Sequence, residues 1–143
     1  NTGHSGSMTT AHANSTADLI LRLETMVLQS GQDLPLHAVR QQIAAAIDLI
    51  VQVRRTSSLD PAAGPQDSQR TIVEIAELGR FDPDTGEIPV MPIFELAGAE
   101  GELRHAISGY IPSFFDEMAE RGLIRIETFF DDGAETTEAR DAA

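Results

Sequence analysis

Two amphipathic helical segments precede several short β-branched runs, and this order limits the chain to folds that combine helices with a sheet. Ser15 lies three residues before Asp18, the spacing of a capping box, which predicts a helix start here and a helix end near Gly31. A second helix is predicted after Pro35. The positions that these helices are expected to bury are Leu19, Leu23, Met26 and Val27 in the first and Leu36, Val39, Ile43 and Ile47 in the second.

The β-branched runs predict strands. Residues 49–53 (LIVQV) are predicted to form a buried strand, and the Ser-, Pro- and Gly-rich residues 54–69 an exposed loop. Residues 71–75 and 88–96 flank the turn sequence FDPDTGE, so we expect them to pair as a hairpin. Prolines at positions 89 and 92 lack amide donors, which places the second strand of this hairpin at a sheet edge.

The last third of the chain carries weaker signals. Residues 100–106 are predicted to form a short helix, and residues 111–121 a longer one with Pro112 in its first turn. Residues 123–129 are compatible with a short strand, and so are residues 8–11 near the start. The histidines at positions 37 and 105 are expected on helix surfaces. The predicted fold class is therefore α/β.

Composition excludes several classes of function. At 143 residues there is room for one ordinary domain, and the formal net charge of −13 argues against nucleic-acid binding. Without cysteine there are no disulfides or thiolate zinc sites, and no apolar run is long enough to span a bilayer. No signal peptide is visible, so the sequence predicts a soluble, intracellular chain. Residues 129–143 are acidic and predicted to be a disordered tail.

All ten basic residues are arginine, and this restricts the chemistry of the chain. A Walker A loop needs a lysine on the β- and γ-phosphates, so these residues contain no intact phosphate-binding loop. Schiff-base chemistry on lysine is excluded as well.

The opening NTGHSGSMTTAHANS places His4 and His12 among hydroxyls and glycines, and several interpretations compete. Zinc would need a third ligand, and no carboxylate lies in this stretch. A serine or threonine nucleophile with a histidine base lacks the usual G-x-S-x-G spacing. GHSGSM also resembles a vector-derived N-terminus. The remaining interpretation is a polar loop whose histidine and threonine donors contact an anion such as phosphate.

The same stretch resembles the histidine box of the type II/IV secretion-system ATPases, in the form found in the tight-adherence (Flp) pilus-assembly branch. The segments RLETMVLQSGQDLP, AVRQQIAAAIDLIVQ, RTIVEIAEL, IPVMPIFEL and GYIPSFFDEMAERG are similar, in order and spacing, to the segments C-terminal to that box in the family. The resemblance covers residues 1 to about 128, and it weakens the interpretation as a vector-derived start. In that family the Walker A and Walker B segments precede the box.

The resemblance implies a fold, cofactors and partners. Residues 1–128 would be the distal half of a RecA-like P-loop motor domain that binds ATP with Mg²⁺, the magnesium ligands lying outside this chain. The intact protein would be a cytoplasmic hexameric ring, held peripherally at the inner membrane by platform proteins of a pilus or secretion system. It would neither insert into the membrane directly nor bind nucleic acid.

The resemblance also implies site residues. It places the box near the γ-phosphate, with His12 as the catalytic candidate that senses this phosphate. His4, Thr10 and Asn14 join it as nucleotide-binding candidates. The alternative for His12 is a histidine that caps the sheet edge and only positions the loop.

Two functions remain open from the sequence. One is part of an ATPase motor, inactive in hydrolysis as the 143-residue chain alone because no lysine is present. The other is a non-catalytic interaction module that docks onto ring subunits. Arg22 and Arg40 lie on the predicted helices, where a solvated face or an intramolecular pair is the expected role and a contact to a neighbouring subunit the minor one.

Overall fold

A computed structural model of the chain describes residues 6–31, 33–55, 70–98 and 104–125. Two helices come first and a four-stranded sheet follows, with a short helix last. The elements are α1 (Thr16–Gln29), α2 (Leu36–Ala46), β1 (Leu49–Arg55), β2 (Arg70–Leu78), β3 (Val90–Ala97), β4 (Arg104–Ile107) and α3 (Phe115–Glu120). The mixed helix and sheet class expected from the sequence is confirmed.

Both long helices begin where the sequence predicts. The Asp18 amide donates to Ser15 Oγ at 3.1 Å, which caps α1, and Gly31 follows the helix with a φ of +79°. Pro35 is the N-cap of α2. Most of the predicted apolar positions face the core, but Met26 and Leu36 are exposed.

The four strands form an antiparallel meander in the order β1-β2-β3-β4. The predicted hairpin is confirmed as β2 and β3. Its turn is fixed by the Asp84 amide, which donates to Asp82 Oδ1 at 2.8 Å and lowers the pKa of Asp82 below its usual value. Gly86 completes the turn with a φ of +74°.

The two helices cover one face of the sheet. Ile50 of β1 and Leu78 of β2 pack against Val39 and Ile43 of α2 in the main hydrophobic cluster, and Ile88 next to the hairpin turn closes it. Burying these aliphatic side chains is the main contribution to the stability of this layer. Partly buried side chains around the cluster include Leu19, Leu23, Val27, Ile47 and Phe81.

The segment after β4 is hydrogen-bonded to the face of the sheet opposite to the two long helices. Glu77 of β2, only 5% exposed, accepts hydrogen bonds from Tyr110 Oη at 3.0 Å and from the Ser113 amide at 2.9 Å. Ser113 Oγ donates to the same carboxylate. A buried carboxylate held by three donors is satisfied without a cation, so it fixes the segment that leads into α3.

The predicted edge position of β3 is wrong. β3 lies between β2 and β4, with Leu96 opposite His105. Pro92 is accommodated because the β2–β3 register shifts between Ile75 and Ala76, and Pro89 precedes the strand. The residue preferences within β3 did not indicate that β4 would pair with it.

The predicted helix at residues 100–106 is also wrong where the structure describes it, since residues 104–107 form strand β4. Pairing with β3 outweighs the weak helical preference of this short sequence. His105 therefore lies on a strand, and its Nε2 is 2.8 Å from the Ile72 carbonyl oxygen. His37 is exposed on α2, as predicted.

Three smaller predictions also need correction. The helix expected over residues 111–121 spans only Phe115–Glu120, and residues 8–11 form no strand. Residues 54 and 55, expected in the loop, extend β1. Residues 123–125 are not in a strand, whereas residues 126–129 and the predicted acidic tail lie outside the described residues.

Candidate functional site

The candidate site is built on the segment that leads into α1, and β1 holds this segment in place. Gln52 Nε2 donates to the Ala13 carbonyl oxygen at 3.1 Å, and an Arg54 guanidinium nitrogen donates to the Asn14 carbonyl oxygen at 3.0 Å. Gln52 is largely buried, and its amide nitrogen is committed to this bond. Two bonds from alternate residues of one strand fix the backbone of the segment at the start of the helix.

A surface groove runs between this segment and one face of α1. We call it the box groove. Its polar lining consists of His12, Asn14, Asp18, Arg22, Thr25 and Gln29, and its apolar lining includes Leu21 and Met26. The capping of α1 by Ser15 brings the two parts together, because it turns the chain from the segment directly into the first helical turn.

The sequence-predicted site residues divide into three groups. His12 and Asn14 line the box groove together, whereas Thr10 is exposed and does not line it. His4 lies outside the described residues. The structure thus brings two of the four predicted residues into one concave surface.

The His12 side chain is exposed and makes no hydrogen bond to any other residue in the described parts of the chain. The segment is instead positioned through its carbonyl oxygens, by Gln52 and Arg54. The imidazole nitrogens are therefore available to a ligand as donor or acceptor.

Arg22 is the groove residue that the sequence pattern placed on a solvated helix face. The sequence spacing already indicated that Arg22 shares a helical face with Asp18 and Gln29, because these residues follow the helical repeat after the capping box. What the sequence alone did not show is that His12 and Asn14 fold back beside this same helical face.

Arg40, the other predicted helix arginine, forms the expected intramolecular pair. Its Nε donates to Glu24 Oε1 at 2.7 Å and another guanidinium nitrogen donates to the Gly86 carbonyl oxygen at 2.6 Å. The bond with Glu24 raises the pKa of Arg40 further. This contact ties α1, which carries the groove, to α2 and to the hairpin turn.

The described residues lack both a cluster of metal-binding side chains and a membrane-spanning helix. They contain no group of three or more histidine, aspartate or glutamate side chains placed to hold a metal ion. None of the helices in these parts of the chain is long and apolar enough to cross a membrane.

The chain is similar to proteins of a known family. The profile of the family described as "Type II/IV secretion system protein" matches residues 1–90, which is more than half of the chain and includes the box groove. The chain belongs to this secretion-system family. That finding confirms the resemblance seen in the sequence at the level of the family, and the tight-adherence branch stays a prediction.

Two curated relatives of this secretion-system protein are conjugal transfer proteins. It is 38% identical over 56 residues to "Conjugal transfer protein TrbB" of Rhizobium radiobacter. It is 39% identical over 56 residues to "Probable conjugal transfer protein TrbB" of Sinorhizobium fredii (strain NBRC 101917 / NGR234). Each alignment covers 39% of this chain and 16% of the relative.

Proposed function

We propose that this chain is part of a hexameric ATPase motor that powers pilus assembly or type II/IV secretion, and that the box groove senses the nucleotide's γ-phosphate. The observation that carries the proposal is the exposed pair His12 and Asn14 in one groove, on a backbone held by β1. Membership of the secretion-system family supports the wider role.

The groove contains hydrogen-bond donors that could contact a phosphate and that bond to no other described residue. Imidazole and amide N–H groups donate to phosphate oxygens, and a sensor must change its contacts when the γ-phosphate leaves. His12 is assigned as the sensing residue and Asn14 as its neighbour, with Thr10 and His4 kept as binding candidates. Gln52 and Arg54 bond to carbonyl oxygens, so these two bonds engage none of the donor groups of this segment.

ATP and Mg²⁺ fit the described residues to different extents. The groove suits the phosphate end of the nucleotide, because it combines uncommitted polar donors with a concave surface. We assign no magnesium ligand, since the described residues offer no cluster of metal-binding side chains. Hydrolysis in this family depends on a phosphate-loop lysine, and the 143 residues contain none.

The proposal places residues 1–128 in the distal half of a RecA-like P-loop domain and residues 129–143 in an acidic tail. The motor would be cytoplasmic and would work on inner-membrane platform proteins, as the tight-adherence resemblance implies. The conjugal transfer relatives extend the candidate systems to conjugation.

Steady-state ATP hydrolysis tests the motor proposal, in a full-length protein that carries this chain together with a phosphate-binding loop. We expect His12→Ala to lower kcat at least about tenfold, because phosphate contacts made only in the active state contribute to the rate. The matched control is His37→Ala, which removes an exposed histidine from α2 without touching the groove.

Two results would contradict the proposal. Hydrolysis by the purified 143-residue chain would show that its chemistry does not need a phosphate-loop lysine. Equal kcat values for the His12→Ala and His37→Ala proteins would remove His12 from the mechanism.

A second function is favoured by one observation on the sheet. On the face of β1 opposite to the helices, Leu49, Val51 and Val53 are 43, 50 and 45% exposed. Ile72 of β2 pairs with Val53 and extends this row. Such an apolar surface fits a non-catalytic module that docks onto ring subunits. Co-purification with a ring that keeps unchanged ATP turnover would favour this module over the motor.

A further inference from the structure

We propose that Arg22 is a phosphate-binding residue of the box groove, where its guanidinium neutralises a polyphosphate held beside His12 and Asn14. This inference rests on the proposed function and deepens it, because it names the side chain that supplies the positive charge of the same site.

The position of Arg22 is the first observation that supports a role in phosphate binding. Arg22 lies on α1 two turns after the Ser15 cap, is exposed, and lines the groove together with His12 and Asn14. A guanidinium stays charged at every physiological pH and offers five N–H donors in a planar fork that matches phosphate oxygens. N–H donors from a histidine and an asparagine, with a guanidinium in the same groove, form a donor set suited to a phosphate chain.

The second support is that the donors of Arg22 are unused. Arg40 makes hydrogen bonds to Glu24 and to a carbonyl oxygen, and Arg121 pairs with Glu117 at 2.6 Å. Arg22 forms no such contact with any residue in the described ranges, although Asp18 lies one turn earlier at the spacing that favours a helical ion pair. The chain has 23 acidic residues, and an arginine that pairs with none of those in the described ranges is available to an external anion.

Asp18 is the acidic residue in the lining of the box groove. Its carboxylate lines the same groove and repels anions, so a ligand must offset that repulsion through contact with Arg22. A polyphosphate can extend from Arg22 toward His12 and Asn14, whereas a single phosphate reaches fewer of these donors. We therefore expect triphosphate to bind more tightly than inorganic phosphate.

Nuclear magnetic resonance of the isotope-labelled 143-residue chain, titrated with inorganic triphosphate, tests the inference. We expect the signals of His12, Asn14 and Arg22 to shift together. Arg22→Gln should weaken binding roughly fivefold or more, because it removes a charge-assisted contact. Arg80→Gln, which removes an exposed arginine outside the groove, should leave the affinity unchanged, and Asp18→Asn should strengthen it.

The outcomes separate this inference from the proposed function. Shifts at His12 and Asn14 with the same affinity in Arg22→Gln would overturn the role of Arg22 and leave His12 as the phosphate sensor. Binding that depends on Arg22 and leaves the His12 signals unmoved would support the inference and count against His12. Absence of any shift at the groove would overturn both.

A conservative substitution guards against a folding defect. Arg22→Lys keeps the charge but loses the planar fork, so we expect an affinity between those of the native chain and Arg22→Gln. If Arg22→Gln fails to fold, Arg22→Lys binding that is weaker than that of the native chain and still falls with added salt supports a charge contact. Binding by Arg22→Lys that is insensitive to salt contradicts one.

Discussion

At the scale of single residues, the contact between Glu24 and Arg40 holds the two helices together. Glu24 is nearly buried on α1, and Arg40 on α2 reaches it at 2.7 Å while also bonding to the Gly86 carbonyl oxygen. Removing one partner of such a pair leaves a buried charge unsatisfied, which costs more than the pair itself contributes.

We therefore predict that Arg40→Met lowers the free energy of unfolding by about 2 kcal/mol, because it strands the Glu24 carboxylate. Urea denaturation measures this change. The control is Arg121→Met, which breaks an exposed pair with Glu117 and should cost less than about 0.5 kcal/mol. Equal losses in the two variants would contradict this prediction, and the double variant Glu24→Met/Arg40→Met should recover part of the loss.

A second residue-scale prediction concerns Tyr110. Burial and the hydrogen bond to Glu77 raise its pKa above the usual value of 10.0. Because the folded-state pKa exceeds the unfolded one, the stabilisation is complete below about pH 10 and is lost as the pH rises through the folded-state pKa. Tyr110 is the single tyrosine and the chain has no tryptophan, so phenolate absorbance reports this residue alone.

The measurement compares this absorbance titration in the folded and the urea-unfolded chain. We expect the folded chain to titrate at higher pH, and Glu77→Gln to reduce the difference without abolishing it, since burial remains. Coincident curves would show that Tyr110 is not held against Glu77.

At the scale of elements, β1 connects the sheet to the box groove through Gln52. Replacing Gln52 by Met removes the bond to the Ala13 carbonyl oxygen while keeping the volume of the side chain. We predict a loss of about 1 kcal/mol in unfolding free energy, together with altered resonances at residues 12–14. Gln41→Met on the exposed face of α2 is the control, and resonance changes of equal size in both variants would argue against this connection.

The elements also show how far local sequence determines the fold. The start of α1 was predictable because Ser15 and Asp18 act on each other within one turn. Strand β4 was not, because residues 104–107 gain their strand conformation from pairing with β3. The groove was predictable only in part. A sequence motif indicated His12, but its place in one groove with Arg22 depends on how β1 holds the segment.

At the scale of the whole molecule, an exposed apolar row lies on β1. Leu49, Val51 and Val53 share one face of a strand that has no partner on its outer side among the described residues. A chain with such a surface should associate with itself when nothing else covers it.

We predict that the purified 143-residue chain self-associates and that Val51→Ser shifts it toward the monomer, as measured by sedimentation velocity. Leu36→Ser is the control, because Leu36 is similarly exposed, at 42%, but lies on α2. A monomeric native chain that melts cooperatively would refute this prediction.

We propose above all that His12 distinguishes a nucleotide with a γ-phosphate from one without it. Isothermal titration of the full-length protein with a non-hydrolysable ATP analogue and with ADP tests this claim most directly, in the native protein and in His12→Ala. We expect the native protein to prefer the triphosphate, and His12→Ala to lose most of this preference while its ADP affinity stays the same. A preference that is unchanged in His12→Ala would contradict the claim.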